Sequence, residues 1–171
     1  MSDTAARLMD LAEAHIRDAG YNGYSFRDLA AEAGIKSSSV HHHFPTKAAL
    51  TAAVARRYTD SVLAAVAEAA DKEGSDVICV YRDLFRTALL RDGRMCLGGA
   101  LGAEAGGLPP EVAHEAREFF SRLAGDLAAR VGGSDARARA LHVLATLEGA
   151  MILARSLNDP GAFDSATAGL T

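Results

Sequence analysis

Apolar side chains recur at intervals of three to four residues along most of the chain, which is the spacing of amphipathic helices. The first such stretch predicts a helix over residues 3–19 that is ended by Gly20. After a short turn, Ser25 stands where a helix cap belongs, and the apolar face that follows ends at Gly34. The chain up to Gly34 therefore predicts a long helix followed by a short one.

A third helix follows within a few residues. It begins at Ser37 or Ser38, carries Val40 and Phe44 four residues apart, and is broken by Pro45. Val40 and Phe44 predict an inward face, which leaves the serines on other faces. Two short helices joined by a turn that contains glycine are the helix-turn-helix pattern.

The rest of the chain is periodic in the same way. Thr46 caps a helix that continues to about residue 71. Further helices are predicted at about 75–91, 95–104, 110–131, 134–157 and 160–169. Alanine, leucine, arginine and glutamate are frequent, and this composition favours helix over strand. We expect an all-α fold of about nine helices, in which a three-helix head precedes a larger helical domain.

Composition narrows the class of protein. Hydrophobic residues make up 49% of the chain, and the two cysteines, Cys79 and Cys96, are too few for a disulfide framework. No apolar run approaches the roughly 18 residues of a membrane span. The N-terminal stretch carries acids and lacks the apolar core of a secretory signal. We therefore expect a protein of the reducing cytoplasm.

The net charge of −4 is unevenly distributed. Residues 25–58 hold five basic and two acidic side chains, whereas residues 61–171 hold eleven basic and fifteen acidic ones. A locally basic segment on an acidic body is compatible with a small nucleic-acid-binding head on a larger domain.

The tract SSSVHHH, residues 37–43, leaves more than one interpretation open. Successive helical residues point about 100° apart, so His41, His42 and His43 cannot converge on one metal ion, and no metal site is predicted. In one interpretation Ser37, Ser38 and the first two histidines touch phosphates or base edges of DNA. In the other, Ser37 only caps the helix and the histidines are exposed spacers.

A longer motif favours the first interpretation. Residues 24–50, YSFRDLAAEAGIKSSSVHHHFPTKAAL, closely resemble the DNA-binding head of the TetR/AcrR family of bacterial one-component transcriptional regulators. The resemblance implies a helix-turn-helix domain over residues 1–48 and a ligand-binding and dimerisation domain over residues 49–171. It also implies a cytoplasmic homodimer, associated with the nucleoid when bound, that holds a palindromic duplex operator and is released by a small-molecule inducer, without a cofactor.

The resemblance assigns roles within the head. Ser25 is expected to touch a phosphate as well as to cap its helix, Arg27 to contact a base or phosphate, and Lys47 to bind phosphate. Ser37, Ser38, Ser39 and His42 occupy positions at which the family's recognition helix approaches the major groove.

Two positions depart from the family pattern. His41 replaces the usual tyrosine, which puts that phosphate contact and the operator preference in doubt. Lys36 replaces a small capping residue, so Ser37 is expected to take over the cap. His43 is expected to be half-buried under the next helix.

The C-terminal helices predict a dimer seam. The stretch RALHVLATLEGAMILARSL, residues 139–157, is apolar nearly all round, so its helix must be buried on more than one side. The resemblance implies that this helix and the preceding one pair with their copies in a four-helix bundle. The candidate interface residues are Phe120, Leu123, Leu127, Leu144, Leu147 and Met151.

By resemblance, the remaining helices enclose an inducer pocket whose chemistry the sequence does not name. Its candidate lining residues are Ile78, Tyr81, Arg82, Phe85, Leu89, Met95, Cys96, Leu101 and Phe119. Cys96 lies near a helix start and two residues after Arg94, both of which favour a thiolate, so it is also a candidate sensor of electrophiles. A buried cysteine that acts as a small apolar residue is the alternative.

Two alternatives to an inducer-controlled repressor are a small helical enzyme and a regulator that has no small-molecule effector. No nucleophile–base arrangement, paired carboxylates or phosphate-binding glycine loop supports a small helical enzyme, so none is expected. A DNA-binding regulator controlled by a protein partner, or by no effector, remains the alternative to control by an inducer.

Overall fold

The computed structural model describes residues 2–71 and 76–170, and in these ranges all regular structure is helical. The α-helices are α1 Asp3–Ala19, α2 Phe26–Ala33, α3 Ser37–His43, α4 Lys47–Ala70, α5 Val77–Asp92, α6 Leu97–Ala103, α7 Pro110–Val131, α8 Ala136–Ser156 and α9 Gly161–Thr167. The predicted all-α fold is confirmed, and the helices fall close to their predicted bounds. The predicted start of the fifth helix, near Ser75, lies outside the described residues.

The helix termini follow from capping chemistry. The Ser2 hydroxyl accepts a hydrogen bond from the Ala5 N–H at 3.2 Å, and the Thr46 hydroxyl accepts one from the Ala49 N–H at 3.0 Å. Asp76 accepts from the N–H groups of Ile78 and Cys79. These oxygens satisfy backbone donors that have no partner within the first turn of a helix.

The helices form two compact units. The first contains residues 2–59 and 97–119, so α6 and the first half of α7 belong to the same unit as α1–α3 and most of α4. Its buried core brings Leu8, Ile16 and Val54 together with Leu101 and Val112, among others. The predicted boundary after residue 48 is a functional one and remains a prediction.

Ion pairs fix α4 within the first unit. Arg57 lies 2.8 Å from Asp10 and 3.0 Å from Glu13 on α1, and Arg56 pairs with the buried Glu115 on α7. The first half of α4 is thereby held against α1 and α7.

The second unit contains the described residues among 60–96 and 120–170. Helix α8 packs against α5 and α9. The Tyr81 hydroxyl donates to Asp126 at 2.8 Å and lies 3.3 Å from the carbonyl of Leu123. Burial is the main cause that raises the pKa of this phenol, and the Asp126 carboxylate adds to it. No helix in the described part of the chain has the length and hydropathy of a membrane span.

Candidate nucleic-acid interface

Helix α2 begins with a complete capping box. The Ser25 hydroxyl accepts from the Asp28 N–H at 3.3 Å, and the Asp28 carboxylate accepts from the Ser25 N–H at 2.9 Å and from its hydroxyl at 2.6 Å. These bonds lower the pKa of Asp28. The predicted cap is confirmed, and the phosphate contact of Ser25 stays a prediction. Arg27, on the same helix, is exposed.

The turn between α2 and α3 is set by Gly34. Its φ of 68° and ψ of 31° place it in the left-handed region, which glycine adopts without a steric cost. The Ile35 N–H then bonds to the Ala30 carbonyl at 3.0 Å, which completes the reversal of the chain. The cap of α3 differs from expectation: Lys36 is the N-cap residue without a side-chain bond, and Ser37 is already the first helical residue. The prediction that Ser37 caps α3 is therefore wrong.

Helix α3 has one buried and one exposed face. Val40 is 0% exposed and belongs to the core of the first unit. Ser37 and Ser38 are exposed, and Ser39 is half-buried. The short hydroxyl side chains let the helix backbone come close to whatever packs on this face. Because Ser37 does not cap, its hydroxyl is not committed to the N-terminus of its own helix.

The three histidines occupy different surroundings. His41 and His42 are exposed, and His43 is half-buried, as predicted. The ring of His41 packs edge-on against Phe26 at 4.8 Å, and its Nδ1 lies 3.4 Å from the Pro45 carbonyl. His41 is therefore held in position at the end of α3. In the described residues, no group of three or more His, Cys, Asp or Glu side chains is arranged to hold a metal ion.

Lys47, the predicted phosphate ligand, is held between aromatic rings. Its Nζ lies 4.6 Å from the ring centre of Tyr21 and 4.7 Å from that of Tyr24. This is cation–π geometry, which fixes a flexible side chain. Burial lowers the pKa of Lys47, and the carboxylates of Glu104 and Asp28 oppose that shift. The structure thus presents this cation from a defined position at the start of α4.

The turn that carries Tyr21 is held by a residue distant in the sequence. Both carboxylate oxygens of Glu104 accept from the Tyr21 N–H, at 3.3 and 3.2 Å. The Tyr24 hydroxyl is bonded to Thr51 at 2.8 Å, and burial raises the pKa of Tyr24 to about 12. Sequence reasoning missed this support, since no local pattern links residue 104 to the N-terminal turn.

The candidate inducer contacts are divided between the two units, and their role stays a prediction. Of these residues, Ile78, Phe85, Leu89 and Met95 are buried in the second unit, as is Tyr81, whose hydroxyl is engaged by Asp126. Arg82 lies near the surface and pairs with Asp83. Leu101 and Phe119 belong to the first unit. Phe119 packs so closely on α6 that a Cβ at Gly98 would lie 2.1 Å from its ring, which is the packing of a core residue.

Cys96 lies just before α6 and is 2% exposed. The neighbouring Arg94 is within 3.8 Å of Asp92, which offsets part of its charge. A thiol that is so nearly buried has little access to reagents in solution.

The candidate dimer residues face inward within one protomer. Leu123, Leu127, Leu144, Leu147 and Met151 are 0–3% exposed, and Phe120 is half-buried. The large apolar side chains that α8 and its C-cap do expose are Leu141, Ile152, Leu153 and Leu157, at 48–64%. The exposed apolar residues of α8 therefore differ from the candidate interface residues, whose role in a dimer stays a prediction.

A half-buried acid whose carboxyl oxygens are buried was also missed. Glu148 lies in the middle of α8, and both of its carboxyl oxygens are buried without a hydrogen-bond partner among the described residues. The signal was present, because this is a single acid within the apolar stretch LATLEGAMIL.

Comparison with known proteins agrees with the geometry of α2 and α3. Residues 8–54 match the family model of bacterial regulatory proteins of the tetR family. No curated protein matches the chain.

Solved structures extend the similarity to the whole chain. A TetR transcriptional regulator from Legionella pneumophila is 27% identical with a TM-score of 0.91, over 99% of this chain and 96% of that one. A TetR-family transcriptional regulator from Agrobacterium tumefaciens is 29% identical with a TM-score of 0.90, over 96% of this chain and 94% of that one. A regulatory protein TetR from Rhodobacter sphaeroides, 20% identical with a TM-score of 0.89 over 99% of this chain and 97% of that one, shows the same fold. Together with the capped α2, the glycine turn and the exposed face of α3, these similarities show that the chain has the fold of TetR-family transcriptional regulators, and they support a DNA-binding regulator.

Proposed function

We propose that this regulator is a repressor that binds a palindromic operator as a homodimer and leaves it when a small molecule binds to its C-terminal helices. The observation that carries the proposal is the two-faced α3, on which Ser37, Ser38 and His42 are exposed while Val40 is buried. Insertion of a helix into the major groove requires an anchored apolar side and a polar side that can reach base edges.

The flanking residues supply contacts to the DNA backbone. Lys47, held against two tyrosine rings, and the exposed Arg27 are cations on either side of α3. Ser25 and His41 add a hydroxyl and an imidazole at the edges of the same surface. Such contacts fix the position of a recognition helix, whereas α3 supplies sequence preference through Ser38, Ser39 and His42.

The homodimer rests on an exposed apolar stripe along one side of α8. Leu141, Ile152 and Leu153 lie on this side, and Leu157 continues it at the helix end. Gly149 lies between them, and nothing is within 4 Å of where its Cβ would be, so a second helix can approach closely. A copy of the same helix offers the complementary surface, and two copies place two α3 helices on one DNA duplex.

Release by an effector follows from a shift between two conformations. In one conformation the two recognition helices match the spacing of the operator half-sites, and in the other they do not. An inducer that binds the second conformation more tightly shifts the protein toward it. The affinity for the operator falls by up to the ratio of the inducer's affinities for the two conformations. Helix α4 runs without interruption from Lys47 to Ala70 and is our candidate for the element that transmits the change. We do not extend the proposal to electrophile sensing, since Cys96 is only 2% exposed.

Selection of binding sites from random DNA duplexes by the purified protein tests this function. We expect a palindrome whose half-sites are about one helical turn apart, or a multiple of that distance. We also expect the protein to inhibit transcription in vitro when the palindrome overlaps a promoter. A consensus without twofold symmetry contradicts the dimer, and stimulated transcription contradicts the repressor.

A further inference from the structure

The carboxyl group of Glu148 is a buried polar group in the second unit. Both oxygens are shielded from solvent and lack a hydrogen-bond partner within the described residues. Of its neighbours one turn away on α8, Leu144 and Met151 are buried and apolar, whereas Ala145 and Ile152 are exposed. Tyr81 makes the contrast clear, because its buried hydroxyl is bonded to Asp126. Apart from the neighbouring Cys96 thiol, no described residue bonds to this carboxyl.

Burial of a carboxyl group without hydrogen-bond partners lowers the free energy of unfolding. An ionised carboxylate taken out of water requires a paired charge or several hydrogen bonds, and without them the group retains its proton. Burial raises the pKa of Glu148 to about 7, and the Cys96 thiol opposes the shift. Two arginines of α5 are engaged elsewhere, since Arg86 pairs with Asp164 of α9 and Arg82 pairs with Asp83. The Cys96 thiol lies beside the carboxyl.

We propose that Glu148, with Cys96 beside it, is the polar end of a binding site for a small organic cation, an ammonium group carried on an apolar body. This inference rests on the proposed control by an effector and names the chemical class of that effector. An ammonium group gives the carboxylate a charge-assisted hydrogen bond, about twice as strong as a neutral one. An anion would be repelled, and one carboxylate with one thiol offers too few ligands for a metal ion.

Binding of the cation is coupled to loss of a proton. The protonated carboxyl releases one proton to solvent and becomes the carboxylate that pairs with the ammonium. Above a pKa of about 7 the site is already ionised, and affinity does not depend on pH. Below it, the affinity falls by about tenfold for each pH unit, because the proton must first be removed.

The experiment compares matched probes on full-length protein. Each pair shares one carbon skeleton: octylamine with octanol, 4-phenylbutylamine with 4-phenylbutanol, and tryptamine with tryptophol. Thermal stabilisation and release of the selected operator are measured for the wild type, Glu148→Gln and Glu148→Met. The control is Glu68→Gln, which removes an exposed acid of α4.

We expect at least one amine to stabilise the wild type more than its alcohol does, and Glu148→Gln to abolish the difference while Glu68→Gln retains it. The affinity of that amine should fall about tenfold between pH 8 and pH 6. Without probes, Glu148→Met should raise the Tm by about 2–4 °C, because it removes a buried polar group that has no partner.

Three results overturn the inference: no amine is preferred over its alcohol, the preference survives in Glu148→Gln, or Glu148→Met lowers the Tm. The last result would mean that the carboxyl supports the fold. Operator binding in the absence of probe is measured in the same series. If the alcohols release the operator and the amines do not, the proposed cation site is wrong, but the proposed control by a small-molecule effector is still supported.

Discussion

Leu153→Asp is expected to separate the dimer into monomers and to reduce operator affinity by more than about a hundredfold. Leu153 is half exposed on the apolar stripe of α8, and burial of a leucine side chain contributes about 1.5–3 kcal/mol. Because Leu153 is already about half buried in the protomer and the substitution occurs twice in a symmetric interface, about 1.5–3 kcal/mol of burial is lost. The two new carboxylates must also be desolvated. Sedimentation velocity at micromolar protein and operator titration measure the two effects.

Leu90→Asp is the matched control. Leu90 is exposed to the same degree as Leu153, at 49% against 48%, but it lies on α5 and away from the α8 stripe. This variant should stay dimeric and bind the operator as the wild type does. A dimeric Leu153→Asp, or a monomeric Leu90→Asp, would place the interface elsewhere.

Gly20→Ala should destabilise the protein by about 3 kcal/mol. Gly20 ends α1 with φ 74° and ψ −167°, a conformation almost restricted to glycine, whose adoption by another residue costs about 1–3 kcal/mol. A Cβ at this position would also lie 1.6 Å from Oε1 of Glu104. The carboxylate must move, and the Tyr21 N–H then loses an acceptor, at a further cost of about 1–3 kcal/mol. Urea unfolding at fixed protomer concentration measures the loss.

Two further variants separate the backbone strain at residue 20 from the overlap with Glu104. Gly34→Ala has a similar φ of 68° but open space around it, so it should cost only about 1 kcal/mol. Adding Glu104→Ala to Gly20→Ala removes the overlap, so the second substitution should cost much less there than in the wild type. Equal losses in Gly20→Ala and Gly34→Ala would show that Glu104 is not constrained by the turn.

The sequence was sufficient for everything set by local chemistry. The bounds of α1 and α2 follow from Ser25, Gly20 and Gly34, whose effects act within one turn of the chain. The inward face of α3 follows from Val40 in the same way. Ser37 is the exception. The sequence allows the N-cap of α3 to be Lys36 or Ser37, and no local feature distinguishes these two positions.

The failures concern contacts between distant residues. Helix α8 is apolar nearly all round, so its sequence does not reveal that Leu144, Leu147 and Met151 are buried within one protomer. The support of Lys47 by Tyr21 and Tyr24 depends on how three segments pack. Periodicity within each segment carries no information on that packing.

Affinity cleavage of the selected operator tests most directly whether α3 lies in the major groove of DNA. An iron–EDTA group is attached through Ser38→Cys in a Cys79→Ser background, where the remaining Cys96 is only 2% exposed. We predict two clusters of strand cleavage, symmetric about the centre of the palindrome and within the major groove of each half-site. A single cluster, or cleavage no stronger than that from a probe attached through Ser165→Cys on the exposed side of α9, would contradict the account.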